Sequence, residues 1–257
     1  MTYPLPAEAI RAFAAQHARI VVVKELEPQL YEQVRALGID AERLDLPRFG
    51  ELSVDLLRRA FGRGNGAAPP VELPALPPRP PVLCAGCSHR GTFYPLKQLD
   101  AIVMGDIGCY TLGAGPPLSA VDTCMNMGAS IGMAHGMARV LDEQDRRRLV
   151  AVIGDSTFYH SGITGLVDVL YNGGDSTVVV MDNHTTAMTG HQDHPGTGRT
   201  LRGEPASVVD IEKLCRGMGI EHVRRIDPYD LVGTWRALDE EMRRETPSVL
   251  IADAACV

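Results

Sequence analysis

Two stretches of the chain run apolar without interruption and stop at an acid: LVAVIG ahead of Asp155, and VVVM ahead of Asp182 and Asn183. Continuous β-branched runs of this length predict strands covered on both faces. Between them TGLVDVLYNG places its apolar residues at helical spacing, which suits a crossover helix. The same alternation continues on either side. AIVMGD predicts a strand, MNMGASIGMAHGMARVLDEQ a helix, IEKLCRGMG a helix, HVRRI a short strand, PYDLVGTWRALDEEMRRE a helix and SVLIADAA a final strand. The fold class expected for residues 82–257 is therefore α/β, a doubly wound parallel sheet. Ligands of such sheets bind beyond the carboxyl ends of the strands. Asp155 and Asn183 both lie at such ends.

The first third reads differently. Residues 7–17 predict a helix, ARIVVVKEL a strand, and PQLYEQVRALG a helix that stops at Gly38. This αβα appendage, residues 1–61, is too small to bury much of a core and reads as the tail of a preceding domain. Residues 62–81 hold seven prolines between Pro69 and Pro81. That density forbids helix and interior strand, so an extended linker is expected.

Composition narrows the function classes. With 257 residues and 45% hydrophobic content the chain can build one good-sized domain and an appendage. No run of about 18 apolar residues occurs, so a membrane span is not expected. The first residues, MTYPLPAEAIRAF, do not have the form of a signal peptide, which points to the cytoplasm. A net charge of −7 argues against nucleic acid as partner. The short runs Arg146–Arg148 and Arg224–Arg225 read as solvated turns. Six cysteines in a cytoplasmic chain are not expected to form structural disulfides.

Two groups of residues carry candidate chemistry. The 25 residues from 157 to 181 are enough for one crossover helix and the next strand, so Asp155 and Asn183 can meet at neighbouring strand tips. One carboxylate, one amide oxygen and a nearby backbone carbonyl make a sparse oxygen site, suited to Mg²⁺ and its retained waters and phosphates. Gly154 would let the backbone approach a phosphate, with helix amides after the turn facing it. Taken alone, the same two residues also read as simple caps of the elements that follow. The second group is Cys84 and Cys87 in C-x₂-C, Cys109 after one strand and Cys256 after the last. The fold would gather their sulfurs at one edge, where they could hold a zinc ion or a [4Fe–4S] cluster, or remain free thiols. Cys124 and Cys215 fall in helical patterns and read as small buried hydrophobes.

Taken together, CAGCSHRGTF, GDIGCYTLG, AVDTCMNMGASIGMAHG, VIGDSTFYHSG and DNHTTAMTGHQDHPGTG resemble the 2-oxoacid:ferredoxin oxidoreductases, most closely their indolepyruvate branch. GDS followed by DN stands where the thiamine diphosphate enzymes commonly have GDG and NN. The resemblance implies the thiamine diphosphate-binding fold and oxidative decarboxylation of an aryl 2-oxoacid to an acyl-CoA, with electrons passing to ferredoxin. It implies Mg²⁺ on Asp155, Asn183 and the Thr185 carbonyl. Gly154, Ser156 and Thr157 would lie against the diphosphate, and Gly108, Cys109, Tyr110, Met127, Gly128, Ala129 and Ser130 would line the cofactor. His89 becomes a candidate catalytic contact. His184, His191 and His194, in the glycine-rich loop, become candidates to face the substrate. Cys84, Cys87, Cys109 and Cys256 match the ligands of a [4Fe–4S] cluster. Gly128, Gly132 and Gly136 form a smooth helix face suited to close helix packing. The family's pyrimidine-binding domain, with its activating glutamate, and its ferredoxin-like domain find no counterpart here. A partner domain or subunit and an oligomeric assembly are therefore expected. A non-oxidative decarboxylase subunit and a non-catalytic cofactor or electron-transfer module are the competing readings.

Overall fold

The computed structural model describes residues 3–63 and 76–257. Residues 64–75, most of the predicted linker, lie outside the described residues. The chain divides into two compact units, Met1–Pro78 and Arg79–Val257.

The first unit contains α1 (Ala7–Ala15), β1 (Ile20–Val22), α2 (Gln29–Ala36), β2 (Ala41–Arg43) and α3 (Val54–Ala60). The strand β2 and the helix α3 go beyond the αβα reading: β2 pairs in parallel with β1, Ile20 opposite Ala41. Only one residue of β2 is buried, so AER carries no apolar run that would announce a strand. The core is small, as the length requires: Val22, Val34 and Ala41, flanked by Ile10, Ile20, Leu30 and Tyr31.

The second unit is built on a six-stranded, all-parallel sheet. Its elements are α4 (Ser88–Gln98), β3 (Ile102–Gly105), β4 (Thr123–Cys124), α5 (Ala129–Ala138), α6 (Glu143–Arg146), β5 (Leu149–Gly154), α7 (Asp155–Thr157), α8 (Ile163–Tyr171), β6 (Thr177–Asp182), α9 (Ile211–Gly217), β7 (His222–Ile226), α10 (Leu231–Glu241) and β8 (Ser248–Asp253). A π-helical stretch, Phe158–Gly162, joins α7 to α8. The strand order is β4-β3-β5-β6-β8-β7. Every residue of β5 and of β6 is buried, as their unbroken apolar runs predict. Alternate residues divide between two cores. Leu149, Ala151 and Ile153 pack with Ile131, Leu166 and Ile211 of α5, α8 and α9. Val150 and Val152 pack with Phe93, Leu96 and Leu238 of α4 and α10. Helices therefore cover both faces, and the sheet is doubly wound.

Two local expectations fail, and one helix was not expected. The helix α4 carries no clean apolar period, yet it forms because His89, Thr92, Phe93 and Leu96 share its buried face. Cys124 belongs to the edge strand β4 and is exposed, so it is no buried hydrophobe, whereas Cys215 is buried in α9. Gly132 and Gly136 do not serve close helix packing within the chain: a Cβ at either would meet nothing within 4 Å.

Candidate functional site

The carboxyl ends of β3, β5, β6 and β8 converge on two neighbouring cavities. β5 delivers Asp155 as the first residue of α7, and β6 delivers Asn183 one residue beyond its end. Asp155 is 3% exposed and Asn183 7%. Both border a cavity of about 100 Å³ whose wall also includes His89, Gly108, Cys109, Tyr110, Met127, Gly154, Ser156, Thr157 and Thr185. Of the residues expected around a cofactor, only Gly128, Ala129 and Ser130 do not border it. The backbone N–H groups of Gly128 and Ser130 donate instead to Asp106, at 2.8 and 3.0 Å. The start of α5 is thereby committed to a protein carboxylate.

Asp106 is a site residue that the motifs did not single out. It is fully buried at the end of β3 and accepts N–H bonds from Ile107, Gly128 and Ser130. The signal was available, because an acid closing the apolar run AIVMG follows the same rule that marked Asp155. Tyr110 is a second organiser. Its ring lies where side chains at Gly108 and Gly154 would stand, since a Cβ at either would approach Tyr110 Cε1 to 2.4 Å. Glycine at 154 therefore makes room for a tyrosine while bordering the cavity itself. The Tyr110 hydroxyl donates to the Ile107 carbonyl at 2.8 Å and lies 3.3 Å from the Thr157 hydroxyl. Burial pushes the Tyr110 phenol well above its ordinary range.

Electrostatics around Asp155 suit a cation. Its Oδ1 accepts the Ser156 N–H at 2.7 Å and its Oδ2 lies 3.1 Å from His194 Nε2. Asp182 lies beside it: burial first, and then the Asp155 charge, push the Asp182 carboxyl up to about 6. The Asp155 carboxylate and the Asn183 amide oxygen at the cavity wall are hard oxygen donors of the kind a small divalent cation takes. This set offers no thiol and does not suit a soft metal. His89 is buried, and burial pulls its pKa down to about 4 against the opposing pull of Asp155. It stands edge-on to Tyr110, ring centroids 5.9 Å apart, as a neutral side chain in the cavity wall.

The second cavity, about 140 Å³, is lined by all four predicted cysteines: Cys84, Cys87, Cys109 and Cys256. The C-x₂-C forms a turn in which the Cys87 N–H meets the Cys84 carbonyl at 3.3 Å, ahead of α4. Tyr229 anchors that turn by donating to the Gly86 carbonyl at 3.0 Å. Burial raises the Cys87 and Cys109 thiols, and the neighbouring sulfurs raise both further. Among the described residues, the one group of three or more His, Cys, Asp or Glu with ligating atoms all within 4.8 Å is Asp182, His184 and Asp253. No three of the four sulfurs are therefore that close. Four thiolates on zinc, at about 2.3 Å each, stand about 3.8 Å apart, closer than these sulfurs stand.

The two cavities share His89, Cys109, Asn183 and Ala187. Backbone bonds tie them as well, for the Cys256 N–H donates to the Asn183 carbonyl at 3.1 Å. None of the three loop histidines borders the first cavity. His184 bonds Asp253 at 2.7 Å, His191 borders the thiol cavity, and His194 holds Asp155.

The fold and the site define the chain as a thiamine diphosphate-binding protein. Residues 106–252, more than half of the chain, match the family described as thiamine pyrophosphate enzyme, C-terminal TPP binding domain, and the chain belongs to that family. It is 38% identical over 275 residues to the indolepyruvate oxidoreductase subunit IorA of Archaeoglobus fulgidus, covering 99% of this chain and 43% of the relative. The IorA subunit of Pyrococcus horikoshii is also 38% identical, over 285 residues, with 99% and 44% covered. That of Methanothermobacter thermautotrophicus is 37% identical over 279 residues, with 100% and 44% covered. The chain thus spans less than half the length of these curated relatives. Among solved structures, the fold resembles 2-oxoglutarate:ferredoxin oxidoreductase from Magnetococcus marinus, with a TM-score of 0.59 at 17% identity, over 69% of this chain and 65% of that one. Among the described residues, no helix is long and apolar enough to cross a membrane.

Proposed function

We propose that this chain supplies the diphosphate-binding half of a cytoplasmic thiamine diphosphate-dependent 2-oxoacid oxidoreductase. The substrate would be an aryl 2-oxoacid of the indolepyruvate kind. Its products would be CO₂ and an acyl-CoA, with two electrons passing to a ferredoxin. The observation that carries this reading is the wall common to the two cavities, which brings the four cysteines beside the buried Asp155 and Asn183. The names of the similar IorA subunits support the substrate class.

Thiamine diphosphate, when bound, supplies the electron sink for decarboxylation. This chain's residues bind and orient. Asp155, Asn183 and the Thr185 carbonyl would hold Mg²⁺, and Gly154, Ser156 and Thr157 would lie against the diphosphate. Tyr110 and Met127 would line the cofactor in the cavity they border. His89, kept neutral by burial, adds no charge to the shared wall. Cys84, Cys87, Cys109 and Cys256 would hold one [4Fe–4S] cluster, whose corner thiolates stand about 6–7 Å apart. The activating glutamate would come from a pyrimidine-binding domain or partner subunit in an oligomer. Residues 1–61 would close a preceding domain, with 62–81 linking it to 82–257.

The test is anaerobic purification with the partner subunits, followed by iron, sulfide, Mg²⁺ and thiamine diphosphate analysis. Ferredoxin reduction that requires indolepyruvate and coenzyme A is expected. Decarboxylation by an iron-free preparation without ferredoxin would overturn the oxidative reading.

A further inference from the structure

Asp155 is gripped by a residue 39 positions further along the chain. The His194 side chain is 1% exposed and that of Asp155 4%, with Nε2 and Oδ2 3.1 Å apart. The other ring nitrogen is already engaged: the Gly196 N–H donates to His194 Nδ1 at 3.1 Å. A ring nitrogen that accepts an N–H carries no proton, so the neutral ring holds its proton on Nε2 and donates it to Asp155. The ring is fixed on one side by Tyr159, centroids 5.5 Å apart and 32° from parallel. The Tyr159 hydroxyl donates to the Val209 carbonyl, and the Val209 N–H returns to the Pro195 carbonyl at 2.9 Å. Gly196 leaves no slack, since a Cβ there would lie 2.7 Å from Tyr159 Oη and 3.0 Å from His194 Cε1.

We infer that His194 is a positioning residue for the cation held by Asp155, an inference that rests on the reading of Asp155 as a metal ligand. As the Nε2–H tautomer it fixes the plane of the carboxylate from the Oδ2 side, while the Ser156 N–H fixes it from the Oδ1 side. The remaining lone pairs are thereby presented to the cation at no cost in reorientation. His194 is not itself a ligand, because both its nitrogens are occupied within the protein. Partners of this kind orient a ligand, and their loss commonly weakens metal binding about 10–100-fold.

The experiment measures Mn²⁺ binding by EPR, in the presence of thiamine diphosphate, on the full chain with its partner subunits. Wild type is compared with His194→Leu and His194→Gln. His194→Leu should weaken Mn²⁺ by about 10–100-fold, and His194→Gln, which keeps an N–H donor, should recover most of that loss. A merely structural histidine would move both variants alike, and equal affinity in wild type and His194→Leu would overturn the inference. Should neither variant fold, imidazole ¹⁵N NMR of the wild-type protein decides. A proton on Nε2 supports the inference, and a proton on Nδ1 overturns it. Wild type that binds no Mn²⁺ at all would instead sink the metal-site reading, and the inference with it.

Discussion

The oxygen-lined and thiol-lined cavities share a wall, yet they are held by opposite means. Asp155 and Asn183 extend from β5 and β6, central strands buried along their whole length and paired on both sides. The cysteines sit on turns: two ahead of α4, one in the 3₁₀ turn after β3, and one beyond β8. Cys84 is exposed and Cys87, Cys109 and Cys256 are partly so, whereas Asp155 and Asn183 are buried. A strand tip inherits the rigidity of the sheet, and a turn inherits little. The oxygen cavity is therefore the more firmly framed of the two, since the thiol cavity depends on three separate turns.

The largest expected effect separates the two. Asp155→Ala should weaken Mg²⁺-dependent thiamine diphosphate binding by about 100-fold or more, while iron incorporation persists. Cys256→Ser should do the reverse, losing iron and keeping cofactor affinity. Calorimetry and iron analysis on the two variants check this, and parallel losses in both would show that the cavities are one cooperative site. Next comes the carboxylate that holds the start of α5. Asp106→Ala removes the fully buried acceptor of three N–H groups and should cost about 3–5 kcal/mol in denaturant unfolding. A loss under about 1 kcal/mol would mean that water replaces the carboxylate.

The shared wall gives a pH signature. Burial holds the folded pKa of His89 at about 4, whereas an unfolded histidine titrates near 6.5. Below about pH 6.5 the unfolded chain accepts a proton that the folded chain refuses. Stability is therefore full above that value, falls as pH drops, and levels off below about pH 4 after losing about 3 kcal/mol. His89→Leu should lose correspondingly less over the same range, and superimposable pH profiles would rule out a neutral buried His89. The smallest effect is at the cysteine turn. Tyr229→Phe removes a half-exposed bond to Gly86 and should cost less than about 1 kcal/mol. It should nonetheless speed iodoacetamide alkylation of Cys84 in the metal-free chain, and an unchanged rate would show that the turn holds itself.

What could be read in advance follows the same division. The unbroken runs of β5 and β6 marked both strands within two residues, and their ends marked Asp155 and Asn183. Burial on both faces leaves a plain signature, and a parallel sheet makes strand ends meaningful. The helix α4 was illegible because Pro95 lies inside it and part of its buried face is polar. The strand β4 is two residues long, too short for any period, so Cys124 was assigned to the helical pattern beside it. The grip of His194 on Asp155 could not be foreseen, because the loop between them has no periodicity to place it. The four cysteines were legible as a set, but the local pattern did not report their spacing, which depends on three turns at once.

One feature of the sheet reaches further than the chemistry it serves. β6 and β8 run side by side with Asp182 opposite Asp253, and the pairing continues past both strands as Ala254 N–H to Asp182 and Cys256 N–H to Asn183. The interval between Cys256 and Asn183 is thus measured in residues of pleat, like teeth on a common rack. A one-residue insertion in β8 would exchange the residues it sends to the two cores and displace Cys256 in the same movement. Mutational drift can alter what lines either cavity, but the separation between them can change only by steps that also undo the core.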